Sequence, residues 1–445
     1  MARSGWSRPI PTITIMTLNL FKHGMVATLL ILATTPRGRA QSSLSFPPQA
    51  NCIYDLSAVT QAFTNTLAQN SIANGSLLIL KDGQKLHELY SGTFNPNTLR
   101  LIASASKWLS AVIIMSLVDD GIMNLDDPVS RYFPAQYPGQ KGTMTIRQMF
   151  SHTSGLPGDE TSDALTRDDI TLQQAAQIIA TNNLIAAPGT VFCYGGLSMQ
   201  LAGACAEVAS GQSWSNLFYL RLKQPLGLTA TTYGNTPNPR IAGGISSTLY
   251  EYATVLQMLL QHGLWGTNRV LSSNAVYVMQ QDQTAGAFIQ CSPYSKYGFG
   301  NTRYGIGEWR EELRPDGSAY QIGSGGAFGF APWIDLDRNV TGVFMVVNQM
   351  ENVFPGVQQI KAAVRAAVDN TPCNHPPYLQ IQPAGGNTNF VTLHGARGRS
   401  YSLENSGDLA SWTNLFDLPG TNGLWEILLT TTNLPRLFLR AKVLP

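Results

Sequence analysis

Ser104-Ala105-Ser106-Lys107 places a serine three residues before a lysine, at the start of the apolar run from Trp108 to Met115. The run predicts a helix over residues 104–120. Residues three apart on a helix lie on one face, with their Cβ atoms about 5–6 Å apart. We therefore expect the Ser104 hydroxyl beside the Lys107 amine. Among the lysines of the sequence, only Lys107 follows a serine at this spacing.

This pair has the chemistry of a nucleophile and its base. A serine hydroxyl becomes a good nucleophile when a base takes its proton, and a lysine can do so when burial or nearby positive charge lowers its pKa. The free N–H groups at the helix start would also face an oxyanion. We predict Ser104 as nucleophile and oxyanion donor, and Lys107 as base. The alternative is an ordinary helix start with Ser104 as N-cap. Ser106 is the weaker nucleophile candidate, because adjacent helical residues point in different directions.

The composition is that of a globular protein. The chain has 445 residues, of which 44% are hydrophobic and 13% charged, enough for one large domain and a small one. A net charge of +2 gives no reason to expect nucleic acid or an anionic membrane as partner. The cysteine spacing fits no zinc or CxxC pattern, and the serine-based chemistry requires no metal or organic cofactor.

The N-terminus predicts export. Basic residues precede the apolar stretch Met25–Ala33, and small residues then lead to Ala40. This order is that of a secretory signal peptide over residues 1–40, and it predicts a secreted or periplasmic protein. In such an oxidising compartment some of the five cysteines can pair. A Cys52–Cys373 bond is one possibility, since these two flank the main domain, and the odd count leaves at least one thiol unpaired within the monomer.

The secondary-structure pattern predicts two folded parts. Strand patterns lie at 75–90 and again at 305–348, with a mostly helical region between them, which suggests one sheet with a helical insertion. We assign residues 41–371 to this domain. Residues 372–377 are a proline-containing linker, and residues 378–445 form a small module of short strands and turns.

Two further stretches carry candidate site residues. Tyr194, in Cys193-Tyr194-Gly195-Gly196 before a helix, could move a proton between nucleophile and leaving group; the alternative is a tyrosine packed at a helix start. Gly323-Ser324-Gly325-Gly326 lies in a strand pattern, where glycines indicate close approach of a ligand or backbone. The N–H of Ala327 would then be the second oxyanion donor; the alternative is a bulge or turn.

A histidine follows the helix signal at residues 145–150. His152 is expected to be a histidine satisfied by hydrogen bonds at a helix end rather than a catalytic residue.

Together these motifs resemble the serine β-lactamase-related superfamily: class C β-lactamases, D-alanyl-D-alanine carboxypeptidases and family VIII carboxylesterases. The similarity covers about residues 57–369 and includes Asn124–Val129, Pro225–Leu228 and Gly243–Thr248. It implies an α/β fold of the β-lactamase/transpeptidase type, an antiparallel sheet with flanking helices. It also implies Ser104 as nucleophile, Lys107 and Tyr194 as acid/base pair, and substrate contacts at Gly196, Ser324, Gly325 and Gly326.

Two departures from the family pattern bear on the substrate. Gly196 stands where the family has asparagine, and Ser324 where it has lysine or histidine. A neutral serine offers a carboxylate no charge-assisted hydrogen bond, and such bonds are roughly twice as strong. We therefore favour a carboxylesterase or amidase acting on a small ester or amide. The alternatives are a β-lactamase or D-Ala-D-Ala carboxypeptidase, and a non-catalytic protein that binds cell-wall peptide or glycan.

The C-terminal module resembles small β-rich repeats of secreted bacterial proteins, over Tyr401–Glu404, Asp408–Trp412 and Arg436–Arg440. The resemblance implies no chemistry. Contact with a cell surface or glycan is the partner considered for it, while Trp412 and Trp425 are expected to be core residues.

Overall fold

The computed structural model describes residues 28–33, 52–284, 286–298, 303–371, 378–385, 388–395, 399–419, 424–430 and 436–444. The described residues fall into two units, one spanning Tyr54–Asn370 and the other combining residues before 54 with those from 371 onward.

The strands are β1 (Thr28–Ala33), β2 (Gly75–Lys81), β3 (Gln84–Ser91), β4 (Arg100–Leu101), β5 (Val191–Cys193), β6 (Ser246–Ser247), β7 (Leu264–Trp265), β8 (Asn268–Arg269), β9 (Phe288–Cys291), β10 (Arg303–Tyr304), β11 (Trp309–Leu313), β12 (Ala319–Gly323), β13 (Phe330–Asp335), β14 (Val340–Val346), β15 (Tyr378–Gly385), β16 (Thr388–His394), β17 (Tyr401–Ser406), β18 (Thr413–Leu418), β19 (Leu424–Thr430) and β20 (Arg436–Val443). The α-helices are α1 (Ser57–Gln69), α2 (Ser106–Asp119), α3 (Ile146–Phe150), α4 (Asp163–Thr166), α5 (Leu172–Ala180), α6 (Leu197–Ser210), α7 (Trp214–Phe218), α8 (Gln224–Leu226), α9 (Leu249–Leu260), α10 (Ser273–Gln280), α11 (Pro293–Lys296) and α12 (Met350–Asn370).

The larger unit is built on one antiparallel sheet with strand order β10-β11-β12-β13-β14-β2-β3. Two strands come from before the helical region and five from after it. They meet where β14 pairs with β2, from Val346 opposite Gly75 to Val340 opposite Lys81. The prediction of one sheet assembled from distant segments is confirmed.

Helices cover both faces of this sheet. Phe63 of α1 packs edge-on against Phe344 of β14, with ring centroids 6.2 Å apart. Tyr252 of α9 packs against Phe330 of β13 at 5.1 Å. Phe330 is paired with Met345, the neighbour of Phe344, and successive strand residues point to opposite faces. The two helices therefore lie on opposite faces, as the predicted α/β fold requires.

Helix α2 is buried along nearly its whole length. Every residue from Ser106 to Leu117 is buried, as expected for a helix that is apolar all round. It begins later than predicted, because Ala103 has a φ of 46° and a 3₁₀ turn over Ala103–Ala105 precedes it. A non-glycine residue in this region is strained. Ser104 lies in the 3₁₀ turn that leads directly into α2.

The smaller unit is the predicted all-β module. It contains the sheets β1-β20-β17-β18 and β15-β16-β19, which share a small apolar core that includes Leu393 and Leu439. Trp425 packs edge-on against Tyr401, and the Arg440 guanidinium lies 4.1 Å from the Trp412 ring centroid. Strand β1 falls within the predicted signal peptide, whose cleavage stays a prediction.

A disulfide joins Cys193 to Cys291, and Cys205 is a buried free thiol. Cys52 also takes part in a disulfide. Cys373, its expected partner, lies outside the described residues, as does the linker 372–377. In the part of the chain that the structure covers, no helix is long and apolar enough to cross a membrane.

Candidate active site

Ser104 and Lys107 lie together at the start of α2. The Lys107 Nζ donates to the Ser104 Oγ at 3.1 Å and to the Ala242 carbonyl at 3.0 Å. The Lys107 side chain is fully buried, whereas Ser104 is partly exposed and open to a substrate. Ser106, the weaker candidate, is buried and its hydroxyl accepts the Ile245 N–H.

The surroundings of Lys107 suit a base. Burial lowers the pKa of Lys107 to about 8, and the positive charge of Arg240 acts in the same direction, while the Glu160 carboxylate opposes it. An appreciable fraction of the amine is therefore neutral near pH 8. Neutral Lys107 can accept the Ser104 proton across the 3.1 Å contact.

Tyr194 is held at the site by its backbone. It follows β5 directly, and β5 pairs in parallel with β9. The disulfide from Cys193 to Cys291 fastens the two strands together, and the Tyr194 N–H donates to the Cys291 carbonyl at 2.8 Å. No sequence pattern indicates this link, because 98 residues separate the two cysteines.

The Tyr194 ring faces the lysine. Its centroid lies 4.5 Å from the Lys107 Nζ, and the ring stacks on Trp309 at 5.2 Å. Burial raises the pKa of Tyr194 more than hydrogen bonding with Ser104 lowers it. The phenol is therefore protonated at neutral pH, which suits a proton donor to a leaving group and not a base.

His152 is packed behind Tyr194. It is buried, its ring centroid lies 4.5 Å from that of Tyr194, and Tyr304 and Phe192 also contact the ring. Among the described residues neither ring nitrogen has a hydrogen-bond partner, so the expectation of a histidine satisfied by hydrogen bonds is wrong. Burial, and next the charge of Lys107, holds the pKa of His152 well below its usual range. The neutral ring acts as a packing surface.

The glycine stretch runs beside the start of α2. Strand β12 ends at Gly323, so the stretch follows the strand instead of lying within it. Gly326 bridges to Phe330, and a Cβ on Gly326 would lie 2.0 Å from the Ile102 carbonyl oxygen. Glycine is required there by this close approach, which places exposed Ala327 one residue further along.

Ser324 makes its contacts within the protein. Its side chain is buried, and the hydroxyl faces the main-chain oxygens of Ser104 at 3.4 Å and Gly307 at 3.3 Å. Gly325 is more open, since a Cβ there would meet its nearest atoms at 3.6 Å. Substrate binding by Ser324, Gly325, Gly326 and Gly196, and the oxyanion role of the Ser104 and Ala327 N–H groups, stay predictions.

The structure adds two charged residues that no motif indicated. The Glu160 Oε1 lies 4.0 Å from the Lys107 Nζ, and the Arg240 Nη2 donates to the Glu160 Oε2 at 2.6 Å. A Cβ on Gly196 would lie 3.1 Å from that Oε2. Glu160 lies in a loop that is distant in sequence from Lys107 and Arg240. Residue spacing alone could therefore not predict that Glu160 lies at the site. Within the described part of the chain, no group of three or more histidine, cysteine or acidic residues could hold a metal ion.

Fold and site together define a serine hydrolase with a serine–lysine pair and a neighbouring tyrosine. The family model "Beta-lactamase" matches residues 59–367. The chain belongs to the beta-lactamase family.

Similar proteins differ in their described activities. The D-alanyl-D-alanine-carboxypeptidase/endopeptidase AmpH of Escherichia coli K12 is 32% identical over 197 residues, covering 41% of this chain and 51% of AmpH. The chain thus spans about half the length of this curated relative. A candidate beta-lactamase structure from Bacteroides dorei DSM 17855 is 32% identical, with a TM-score of 0.66, over 72% of this chain and all of that one. A family VIII carboxylesterase structure shares the fold at a TM-score of 0.56 and 17% identity, over 71% of this chain and 98% of that one.

Proposed function

We propose that this protein is a carboxylesterase or amidase that acts through an acyl-enzyme. The observation that carries the proposal is the 3.1 Å contact between the Ser104 Oγ and the buried Lys107 Nζ, whose pKa is about 8. The Ser104 Oγ attacks the carbonyl carbon while its proton passes to Lys107. The bond to the leaving group then breaks, and Tyr194 donates the proton that the departing oxygen or nitrogen needs. The proton held by Lys107 passes to the Tyr194 phenolate, so both residues return to their starting states.

Water completes the cycle. It attacks the acyl-Ser104 carbonyl while its proton passes to neutral Lys107. The bond to the Ser104 Oγ then breaks, Lys107 gives that proton to the Oγ, and the free acid and Ser104 are released. The main-chain N–H groups of Ser104 and Ala327 would stabilise the oxyanion in both steps. No other reactant is needed, since ester or amide and water are converted into acid and alcohol or amine.

The lining of the site supports a substrate without a required carboxylate. At position 324, where a cation would make a charge-assisted bond to a carboxylate, the serine hydroxyl is turned toward main-chain oxygens. An ester or a neutral amide has no need of that bond.

A D-alanyl-D-alanine carboxypeptidase is the second candidate, and the similarity to AmpH favours it. Its substrates end in a carboxylate, for which Ser324 is a weak partner. Peptide release that equals ester turnover would reverse the order of the two proposals.

The test compares the chain from Gln41 onward with Ser104→Ala. Both are assayed with short-chain nitrophenyl esters, a chromogenic cephalosporin and a peptide ending in D-Ala-D-Ala. Ester turnover that is lost in Ser104→Ala, with little cephalosporin or peptide hydrolysis, supports the esterase. If neither turnover nor a covalent adduct on Ser104 is found by mass spectrometry, the proposal fails in favour of a binding role.

We further propose that the protein is exported. The Cys193–Cys291 disulfide supports this, because disulfides persist in oxidising compartments. N-terminal sequencing of the exported protein tests the predicted cleavage after Ala40; full-length protein retained in the cytoplasm would contradict it.

A further inference from the structure

We propose that Glu160, held by Arg240, is the specificity element on the acyl side of the site, and that it selects substrates with an amino or amide N–H group next to the scissile carbonyl. The inference rests on the proposed hydrolase function and adds the chemical class of its acyl group.

Glu160 fills the space that a side chain at position 196 would use. A Cβ on Gly196 would lie 3.1 Å from the Glu160 Oε2 and 2.7 Å from a methyl carbon of Leu165. The carboxylate therefore occupies this corner from a different segment of the chain.

Two glycines allow the loop of Glu160 to come this close. A Cβ on Gly195 would lie 2.5 Å from the Gly158 Cα, and a Cβ on Gly158 would lie 2.3 Å from the Tyr194 carbonyl oxygen. Real Cβ atoms do not approach main-chain atoms so closely, so only glycine fits at both positions. This backbone contact brings residue 160 over the segment that carries Tyr194.

Arg240 hydrogen-bonds to one carboxylate oxygen of Glu160, so the other oxygen, Oε1, is the one that can accept from a substrate. The Arg240 Nη2 donates to the Glu160 Oε2 at 2.6 Å and to the Glu160 carbonyl at 3.0 Å. The Oε1 lies 4.0 Å from the Lys107 Nζ, which is too far for a hydrogen bond. The Glu160 side chain is 42% exposed, so part of this side chain is open to a substrate.

The position of Oε1 relative to the nucleophile defines the part of the substrate that it meets. The Lys107 Nζ is 3.1 Å from the Ser104 Oγ and 4.0 Å from Oε1, so Oε1 lies no more than about 7 Å from the nucleophile. In the acyl-enzyme the carbonyl carbon is bonded to that Oγ. A group on the adjacent acyl carbon therefore lies within this distance of Glu160.

The chemistry of a carboxylate then decides the preference. A carboxamide offers both donors and an acceptor, whereas an ionised carboxylate only accepts hydrogen bonds. Glu160 can accept from an ammonium or amide N–H in a charge-assisted bond, and it repels a carboxylate at the same place. Arg240 offsets part of the negative charge, so we expect an effect of about tenfold for a partly exposed group at this range.

The test uses 4-nitrobenzyl esters of alanine, in both enantiomers, and of 2-methylpropanoic acid. In this pair an ammonium group replaces a methyl group of similar size and the leaving group is unchanged. Release of 4-nitrobenzyl alcohol at pH 7 gives kcat/KM for each ester with the full enzyme. Each kcat/KM is divided by the hydroxide-catalysed rate of the same ester, which removes the greater intrinsic reactivity of the ammonium ester. We expect one alanine ester then to exceed the 2-methylpropanoate about tenfold in wild type, and this corrected ratio to fall close to one in Glu160→Gln.

Two further variants isolate the carboxylate. Asp168→Asn removes the same charge from an exposed position and should keep the wild-type ratio. Glu160→Asp keeps the charge and should retain part of the preference; if it loses the preference as completely as Glu160→Gln does, charge is not the cause and the inference is overturned.

The outcomes separate the two proposals. If wild type hydrolyses the 2-methylpropanoate through Ser104 but neither alanine ester faster, the inference fails and the hydrolase stands. If Glu160→Gln keeps the wild-type ratio, the inference also fails. If no ester is hydrolysed and no adduct forms on Ser104, the proposed function itself fails. Should Glu160→Gln not fold, Glu160→Ala replaces it, and an unchanged ratio in that variant overturns the inference.

Discussion

Raising the pH from 7 to 9 should increase kcat/KM for a neutral ester about tenfold. With a Lys107 pKa of about 8, about 9% of the amine is neutral at pH 7 and about 91% at pH 9. Only the neutral amine can take the Ser104 proton, so the rate follows this fraction. A single inflection near pH 8 is expected, because the pKa of Tyr194 is raised and the phenol does not ionise in this range.

The assay measures initial rates of nitrophenyl butyrate hydrolysis between pH 6 and pH 10. Ser104→Ala, measured in parallel, corrects for spontaneous hydrolysis at alkaline pH. The reasoning is refuted by a flat profile, or by an inflection more than about one pH unit away from pH 8.

Glu160→Gln should move this inflection to lower pH. The Glu160 carboxylate raises the pKa of Lys107, so its removal lowers that pKa and makes more neutral amine available at pH 7. Asp168→Asn provides the matched charge change and should leave the inflection where it is. An inflection that stays or moves upward in Glu160→Gln would show that Glu160 does not act on the base.

Three further predictions concern Gly326, the Cys193–Cys291 disulfide and Lys107. Gly326→Ala should reduce kcat at least a hundredfold, because the new Cβ would lie 2.0 Å from a main-chain oxygen. Gly325→Ala should reduce kcat far less, because its Cβ would lie 3.6 Å from the nearest atoms. Equal losses of kcat in the two variants would contradict this reasoning. Cys193→Ser should lower kcat more than it raises KM, because Tyr194 loses the disulfide that holds its backbone in position. Steady-state kinetics of the variant, and of wild type with and without a reductant, check this prediction. Lys107→Met should abolish turnover yet stabilise the fold at pH 7 by about 1–2 kcal/mol in urea unfolding. Below pH 8, a pKa lowered from 10.5 to about 8 means that protonated Lys107 destabilises the folded state by about 3 kcal/mol. Methionine removes this destabilisation but also loses the hydrogen bonds of the amine, so the net gain in stability is smaller. Wild-type stability should also rise between pH 8 and pH 10.5, where the unfolded state binds more protons, and the variant's should not.

Local pattern was sufficient for most of the helices and strands. The apolar run after Lys107 predicts a helix whichever domain surrounds it, and β2, β12, β13 and β14 each have a strand pattern of their own. The departures are local as well: α2 begins at Ser106 because Ala103 turns the chain. The spacing of Ser104 and Lys107 was already enough to predict their contact, since helical geometry brings positions three apart together.

The amino-acid sequence by itself determined the elements, the serine–lysine pair and the family resemblance, because each depends on residues close together in the chain. Only the tertiary structure decided the Cys193–Cys291 link, the approach of Glu160 to Gly196, and the pairing of Glu160 with Arg240. These contacts join segments tens of residues apart, and no periodicity encodes them. The pKa of Lys107 likewise depends on burial by the whole domain. The sequence was sufficient to predict Lys107 as the base, but only the folded domain lowers its pKa enough for the amine to act as one.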